Sequence, residues 1–286
     1  MALTGLQIQK LLPKTNCKEC GVNTCLAFAM RLAARKAEIA DCPYASDEAI
    51  ATLSEAYEPP VKGVRLGPDK ALRLGEETVL YRHEKTFVNQ TLLAINVNDT
   101  DRSAEADATL RAVKDYTVER VGETIDLDMV AVSHRGSSAD AFVDLAERAW
   151  DEVCKPLILR SQDPAALRAA AEKVAGSRSV LASATPETVD ELVEFAKEHD
   201  HALALTAPDL DGLVATAGRV RETGFNDLIL QFETHSLAER FQTNSIARRA
   251  AIKASTKPLG WPFLRFVDSS DLMADTVEAV NEIAKY

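Results

Sequence analysis

The chain has 286 residues, a formal net charge of −11 and an apolar fraction of 46%, which leaves room for one large domain or a large and a small one. The acidic balance argues against nucleic-acid binding, which wants a basic face. No apolar run reaches the ~18 residues of a membrane span, and the first twenty residues lack the basic and hydrophobic regions of a signal peptide, so a cytoplasmic protein is expected.

Taken in order, Thr4 precedes an apolar-periodic run (Leu6, Leu11, Leu12) and has Gln7 three residues on. This capping-box pattern predicts a helix that Pro13 ends. Next comes the stretch with the most chemistry, Cys17-Lys18-Glu19-Cys20-Gly21-Val22-Asn23-Thr24-Cys25, completed by Asp41-Cys42-Pro43. Three thiols on one loop and a fourth before a proline can surround a cubane iron–sulfur cluster, which takes four Cys thiolates. Gly21 gives the loop freedom to bend. A structural zinc and a pair of disulfides are the rival readings. Zinc sites usually add a second C-x2-C or H-x3-5-H pair, and none occurs. Disulfides need an oxidising compartment, which nothing in the chain suggests.

Leu26, Met30, Ala33 and Ala37 recur at helical spacing opposite Arg31, Arg35 and Lys36. A helix running to Ala40 would carry Cys42 far from the loop at ~1.5 Å per residue. A short helix stopping near Arg35 and a return strand over Ala37 to Asp41, at ~3.3 Å per residue, bring it back. Another helix is expected over Ser46 to Ala56, with Ile50 and Leu53 packing back on the cluster module. Glu58-Pro59-Pro60 reads as a linker, dividing a cluster domain, residues 1–58, from a second domain, residues 59–286.

Val64-Arg65-Leu66 and Ala71-Leu72-Arg73-Leu74 flank Gly67-Pro68-Asp69-Lys70, a hairpin signal read as a plug or lid joining the domains. From Gln90 onward, seven apolar runs alternate with amphipathic stretches. The runs begin at Leu92, Met129, Leu157, Val180, Ala202, Leu228 and Phe263, and the last helix covers Asp271 to Ile283. Such alternation means βαβ units and a parallel sheet. A doubly wound sheet would usually show a Gly-rich turn after its first strand, but Asn96-Val97-Asn98-Asp99 stands there. A TIM-type (β/α)8 barrel lacking its last strand is the better reading, with its first and seventh edges unpaired and apolar on both faces.

In a barrel the strand C-terminal ends hold the site. Here they carry Asn96, Asn98, Asp99, Ser133, His134, Arg135, Arg160, Ser183, Thr206, Gln231, Glu233, His235 and Asp268. Polar loops also arise simply because they meet water; the family resemblance given below is what favours a partner-docking face over a small-molecule site. No catalytic residue is assigned. His83, His134, His201 and His235 form no metal motif. Cys154 beside Pro156 reads as a small buried apolar residue, and the helix Arg240 to Lys257, with Arg248, Arg249 and Lys253, as a solvated basic face.

The segments Leu3 to Lys14, CKECGVNTCLAFAMRLA, DCPY and Glu77 to Phe87, with the last residues, resemble the large (gamma) subunit of the corrinoid iron–sulfur protein family. The resemblance implies a small helical [4Fe–4S] domain ahead of a barrel, with Cys17, Cys20, Cys25 and Cys42 as the cluster ligands and electron transfer as their role. It implies that cobalamin is bound by a further domain absent from this stretch. The whole protein would move a methyl group from a methyl-pterin, via a methyltransferase, to acetyl-CoA synthase, with a small (delta) subunit as heterodimer partner. A barrel pterin-dependent methyltransferase and a general electron-transfer adaptor are the alternatives.

Overall fold

The structure, a computed structural model, describes residues 3–34, 36–57, 59–85, 88–267 and 271–286. Arg35, Glu58, the Thr86-Phe87 pair and Asp268, all used above, lie outside the described residues. The chain forms two compact units, Met1–Pro59 and Pro60–Tyr286.

The first unit contains helices α1 (Gly5–Leu11), α2 (Cys25–Ala33) and α3 (Asp47–Tyr57), with a short 3₁₀ turn over Ile39–Asp41. Thr4 and Gln7 form the capping box expected of α1. Gly5 is where α1 meets α2: a Cβ there would collide with the Met30 side chain. The buried face of α2 is Cys25, Phe28, Ala29 and Leu32, not the Leu26–Met30–Ala33 stripe expected, since Leu26 and Met30 are exposed. Phe28 and Leu32 share a face one residue round from that stripe and bury more area on Ile8, Leu12 and Leu53. Leu53 packs inward as expected, whereas Ile50 is exposed.

The expected return strand over Ala37 to Asp41 is replaced by the 3₁₀ turn. The reversal starts earlier, where the Lys36 N–H bonds the Arg31 carbonyl at 2.8 Å, a six-to-one bond of the kind that closes helix C-termini. With the chain already turned back, a compact ~2.0 Å per residue suffices.

The second unit begins with the hairpin β1 (Val64–Leu66) and β2 (Leu72–Leu74). The seven expected strands follow as β3 (Ala94–Asn98), then, after α4 (Ser103–Asp115) and a second hairpin of β4 (Thr117–Arg120) and β5 (Glu123–Asp126), β6 (Met129–Ser133). Next come α5 (Ala139–Val153), β7 (Leu157–Arg160), α6 (Pro164–Lys173), β8 (Val180–Ala184), α7 (Val189–Glu198), β9 (Ala202–Ala207), α8 (Leu210–Glu222), β10 (Leu228–Phe232), α9 (Leu237–Lys253), β11 (Phe263–Leu264) and α10 (Leu272–Lys285). The sheet runs β3-β6-β7-β8-β9-β10-β11, all parallel, and β3 and β11 do not pair. It is a curled barrel wall one strand short of closure. A cavity of ≈400 Å³, lined by Leu92, Ala94, Leu264, Phe266 and Ile283, opens at the gap.

The period-2 alternation of the strands sorts their side chains into two cores. Val130, Val132, Leu157, Leu159, Leu203, Leu205, Leu228 and Leu230 face the helix layer. Ala131, Ile158, Ala182, Ala202, Ala204 and Ile229 face the lumen with Val64 and Leu66 of the first hairpin. The hairpin is therefore a plug within this unit, inserted at the strand N-terminal end. There the Gly67 N–H donates to the Arg178 carbonyl at 3.2 Å. The buried Arg178 guanidinium donates from Nε to the Arg65 carbonyl at 2.7 Å and pairs with Asp200 and Asp227.

Three expectations are corrected. The β3 edge is not apolar on both faces: Ile95 and Val97 make one face apolar, but Asn96 and Asn98 stand on the other. On helix α9 Arg249 and Lys253 are exposed as expected of a solvated basic face, but Arg248 is not, and neither is Arg240 at the start of the predicted helix. Arg240 and Arg248 are buried because Glu278 of α10 and Glu77 neutralise them. Cys154 is exposed, since it ends α5 in the left-handed conformation at φ 54°, a position that faces outward.

His201, just before β9, is buried, and its Nδ1 accepts the Ser179 N–H at 3.1 Å. Burial lowers its pKa from 6.5 to about 4. Above pH 6.5 the ring is neutral in the folded and the unfolded chain. Between 6.5 and 4 the unfolded chain takes up a proton that the folded chain refuses, so stability declines as pH falls, by on the order of 3 kcal/mol in total. Urea unfolding followed by Trp150 and Trp261 fluorescence, which reports this unit, should show that decline. His201→Gln should flatten it, and an unchanged pH slope in the variant would refute the assignment.

Candidate metal centre and barrel mouth

The cysteine loop is built from residues in unusual backbone conformations. Lys14, Asn16, Lys18 and Gly21 all have positive φ, at 59°, 52°, 68° and 77°, which winds the chain into a tight coil that a regular element could not supply. A Cβ at Gly21 would meet nothing within 4 Å, so the glycine serves the φ angle. Thr24 caps α2 by accepting the Ala27 N–H at 3.1 Å. Cys25 is the first residue of that helix, at the positive end of its dipole.

Asn16 ties the loop to Cys25 twice. Its Oδ1 accepts the Cys25 N–H at 2.8 Å, and its own N–H donates to Cys25 Sγ at 3.4 Å. A second tie joins the loop to the returning segment, where the Tyr44 hydroxyl donates to Glu19 Oε1 at 3.0 Å. That bond, with the charge of Glu19, raises the pKa of the Tyr44 phenol. Cys25 and Cys42 are buried in one apolar cluster, and Cys20 packs against it while Cys17 is exposed. Among the described residues, no three Cys, His, Asp or Glu side chains are gathered closely enough for one metal ion. The loop thus brings its thiols to one side of the unit's core with one backbone N–H, that of Asn16, directed at Cys25 Sγ.

The second unit has its own polar site at the strand C-terminal ends. The structure brings His134, Arg135, Arg160, Ser183, Gln231 and Glu233 to one cavity of ≈440 Å³. Three further lining residues, Ser161, Gln162 and Asp163, follow β7; their only sequence signal is their place one to three residues beyond a strand end. His134 Nδ1 lies 2.9 Å from Ser161 Oγ, and its Nε2 lies 3.7 Å from Asp99 Oδ2. Asp99 is buried and structural: Oδ1 accepts the Arg135 and Gly136 N–H groups at 2.8 and 2.9 Å.

Asn96 accepts from Ser133 at 2.6 Å and donates to Asn98 at 3.0 Å, which joins them to one another beside the cavity's first strands. Thr206 donates to Glu233 Oε1 at 3.1 Å. His235 is exposed, its N–H donating to Glu239.

A family model for the CO dehydrogenase/acetyl-CoA synthase delta subunit matches residues 63–286, and an Fe-S cluster model matches residues 12–44. The corrinoid/iron-sulfur protein large subunit of Moorella thermoacetica is 34% identical over 287 residues, covering 100% of this chain and 64% of its own length. The acetyl-CoA decarbonylase/synthase complex subunit gamma of Methanocaldococcus jannaschii is 30% identical over 271 residues, covering 92% of this chain and 55% of its own. The chain thus spans less than two thirds of the length of these relatives. Dihydropteroate synthase from Thermus thermophilus superposes with a TM-score of 0.48 at 15% identity, over 78% of this chain and 89% of that one. Among the described residues no helix is long and apolar enough to cross a membrane. With the matched segments covering both the cysteine loop and the barrel wall, the chain belongs to the CO dehydrogenase/acetyl-CoA synthase delta subunit family, and its relatives include corrinoid/iron-sulfur protein large subunits and gamma subunits.

Proposed function

We propose that this chain is the electron-handling part of a corrinoid iron–sulfur methyl carrier, with Cys17, Cys20, Cys25 and Cys42 holding a [4Fe–4S] cluster. The observation that carries the reading is the cysteine loop itself. Two buried thiols and a third packed beside them meet a coil of left-handed residues, in a segment matched by an Fe-S cluster model. When bound, such a cluster passes single electrons at low potential, the chemistry needed to return a corrinoid cobalt to its methyl-accepting state.

The chain's own residues do the positioning. The Asn16 N–H and the N-terminus of α2 stabilise negative charge on Cys25 Sγ. Burial of Cys25 and Cys42 keeps water from those sulfurs, and the Glu19–Tyr44 bond holds the loop against the segment bearing Cys42. In the whole protein the methyl group would come from a methyl-pterin through a methyltransferase and leave to acetyl-CoA synthase. The delta subunit would be the heterodimer partner, and the corrinoid would be held by a domain outside residues 1–286. The names of the relatives support this reading.

Two outcomes test it. Anaerobically reconstituted protein should carry about four iron and four sulfide per chain; Cys42→Ala and Cys20→Ala should each lose most of both, while Cys154→Ser retains them. Tightly bound zinc without sulfide would overturn the proposal. Asn16→Ala removes the acceptor for the Cys25 N–H, a loss of about 1 kcal/mol, and should speed hydrogen exchange at that amide roughly fivefold and shorten cluster lifetime in air. Unchanged protection at Cys25 would show that the tie is idle.

A further inference from the structure

Three adjacent parallel strands of the barrel wall end in register, Asn98 of β3 beside Ser133 of β6 and Ser133 beside Arg160 of β7. The first residue past each end therefore falls in one row at the mouth: Asp99, His134 and Ser161. The ladder runs on through them, since the Asp99 N–H donates to the Ser133 carbonyl at 3.1 Å and the His134 N–H to the Arg160 carbonyl at 2.8 Å. Strand pairing thus sets a carboxylate, an imidazole and a hydroxyl side by side on rigid backbone, at the end of the barrel where chemistry resides.

The three side chains connect in that order. Ser161 Oγ and His134 Nδ1 are 2.9 Å apart, and His134 Nε2 lies 3.7 Å from Asp99 Oδ2. Asp99 Oδ1 is occupied by the Arg135 and Gly136 N–H groups. Among the described residues Asp99 Oδ2 and His134 Nε2, both buried, have no hydrogen-bond partner. Buried polar atoms are nearly always paired, and one proton assignment pairs these. Nε2 carries the ring proton toward Oδ2, which leaves Nδ1 to accept the Ser161 hydroxyl. Such contacts are commonly long before substrate binds. Phe142 stacks on the imidazole at 5.2 Å and holds its plane. Ser161 Oγ also accepts the Asp163 N–H at 3.1 Å; with its own proton directed at Nδ1, one lone pair is left for attack.

We infer that Ser161 is a nucleophile toward small carboxylic esters, with His134 as its general base and Asp99 as the positioning residue. His134 and Ser161 line the ≈440 Å³ cavity of the mouth, whereas the Asp99 side chain is fully buried. As the bond from Oγ to the ester carbonyl carbon forms, the hydroxyl proton passes to Nδ1. As the carbon–alkoxy bond breaks, that proton leaves on the alcohol. Water then attacks the acyl-serine and gives a proton to Nδ1, and the Ser161 oxygen takes it back as the carboxylic acid departs. The Asp99 carboxylate stabilises the imidazolium that forms in each half. Gln162 and Gln231 of the same lining supply amide donors for the oxyanion. The Ser183 hydroxyl donates to Gln231 Oε1 at 3.2 Å, which fixes the Gln231 NH₂ group as a donor. Ser183 holds that place at φ 72°, where the pairing of β8 with β9 shifts; strain of this kind in a non-glycine residue gathers at active sites.

The test is labelling of the full chain with a fluorophosphonate, located by peptide mass spectrometry, beside hydrolysis of p-nitrophenyl acetate. The unaltered chain should carry the phosphonyl group on Ser161, and Ser161→Ala should lose it. Hydrolysis should fall about 100-fold or more in Ser161→Ala and in His134→Gln. Asp99→Asn keeps an oxygen for the Arg135 and Gly136 N–H groups, so its melting temperature should hold. It presents an NH₂ group to Nε2, however, and should lower kcat about tenfold or more while leaving KM within about twofold. A merely structural Asp99 would not produce that split. An unaltered chain that takes no label at Ser161, or takes it elsewhere, would overturn the inference whatever the variants do. So would hydrolysis undiminished in Ser161→Ala, or an Asp99→Asn chain that is stable and fully active.

Discussion

The second unit depends on a constraint inside its lumen. The inward positions of β6, β8 and β9 are largely alanine, at Ala131, Ala182, Ala202 and Ala204, and small side chains alone would leave the curled sheet with a void. Val64 and Leu66 of the hairpin, both fully buried, take up part of it, beside the ≈400 Å³ cavity that Leu66, Ala131 and Ile229 also line. Close packing of this kind is worth roughly 1.5–3 kcal/mol for each large apolar side chain removed from water. The plug is then tied down by Arg178, which bridges the Arg65 carbonyl to Asp200 and Asp227. The N-terminal end is thereby closed and rigid, and the C-terminal end is left as the open, polar face.

A second theme is charge moved indoors. Arg240 and Arg265 converge on Glu278, Arg248 meets Glu77, and Asn244 donates to Glu282 at 2.9 Å. Burial raises the pKa of the Glu282 carboxyl, a shift that the neighbouring Arg265 and Arg240 oppose. Buried pairs of this sort add little net stability, but removing one partner leaves an uncompensated charge and is costly. Their effect is to specify how α9 and α10 pack, and the Tyr286 hydroxyl, 2.6 Å from Ser245 Oγ, completes that packing. The network lies beside the gap between β3 and β11, where a hydrogen-bonded neighbour is lacking on each edge among the described residues.

The first unit follows a different logic. A module of 59 residues has a small core, here built on Ile8, Phe28, Leu32 and Leu53, and modules of this size commonly rely on a bound metal group. A ligand that binds only the folded loop adds its binding free energy to folding. The left-handed residues Lys14, Asn16 and Lys18 are unfavourable by themselves and make sense if the loop wraps something.

The sequence by itself determined the order and kind of elements in the barrel. Alternating apolar runs and amphipathic stretches are local, periodic signals, and the seven strands and the terminal helix stand within a few residues of where that periodicity puts them, although β3 runs on through Asn96-Val97-Asn98, expected as the turn after it, and the β4–β5 hairpin carried no such signal. The capping box at Thr4 and Gln7 and the Cys17-Cys20-Cys25 loop were legible for the same reason, since each is a pattern within a few residues, and Cys42 was joined to it by residue type and chain reach. Only the tertiary structure decided what depends on partners distant in the chain. The buried face of α2 is set by Ile8 and Leu53, and the burial of Arg248 by Glu77. Ser183 acquires its strained conformation from the shifted pairing of β8 with β9, and no residue pattern marks it beforehand. Ser161, Gln162 and Asp163 join the mouth only because β7 ends beside β6, a juxtaposition made by hydrogen bonds between strands rather than by sequence neighbours.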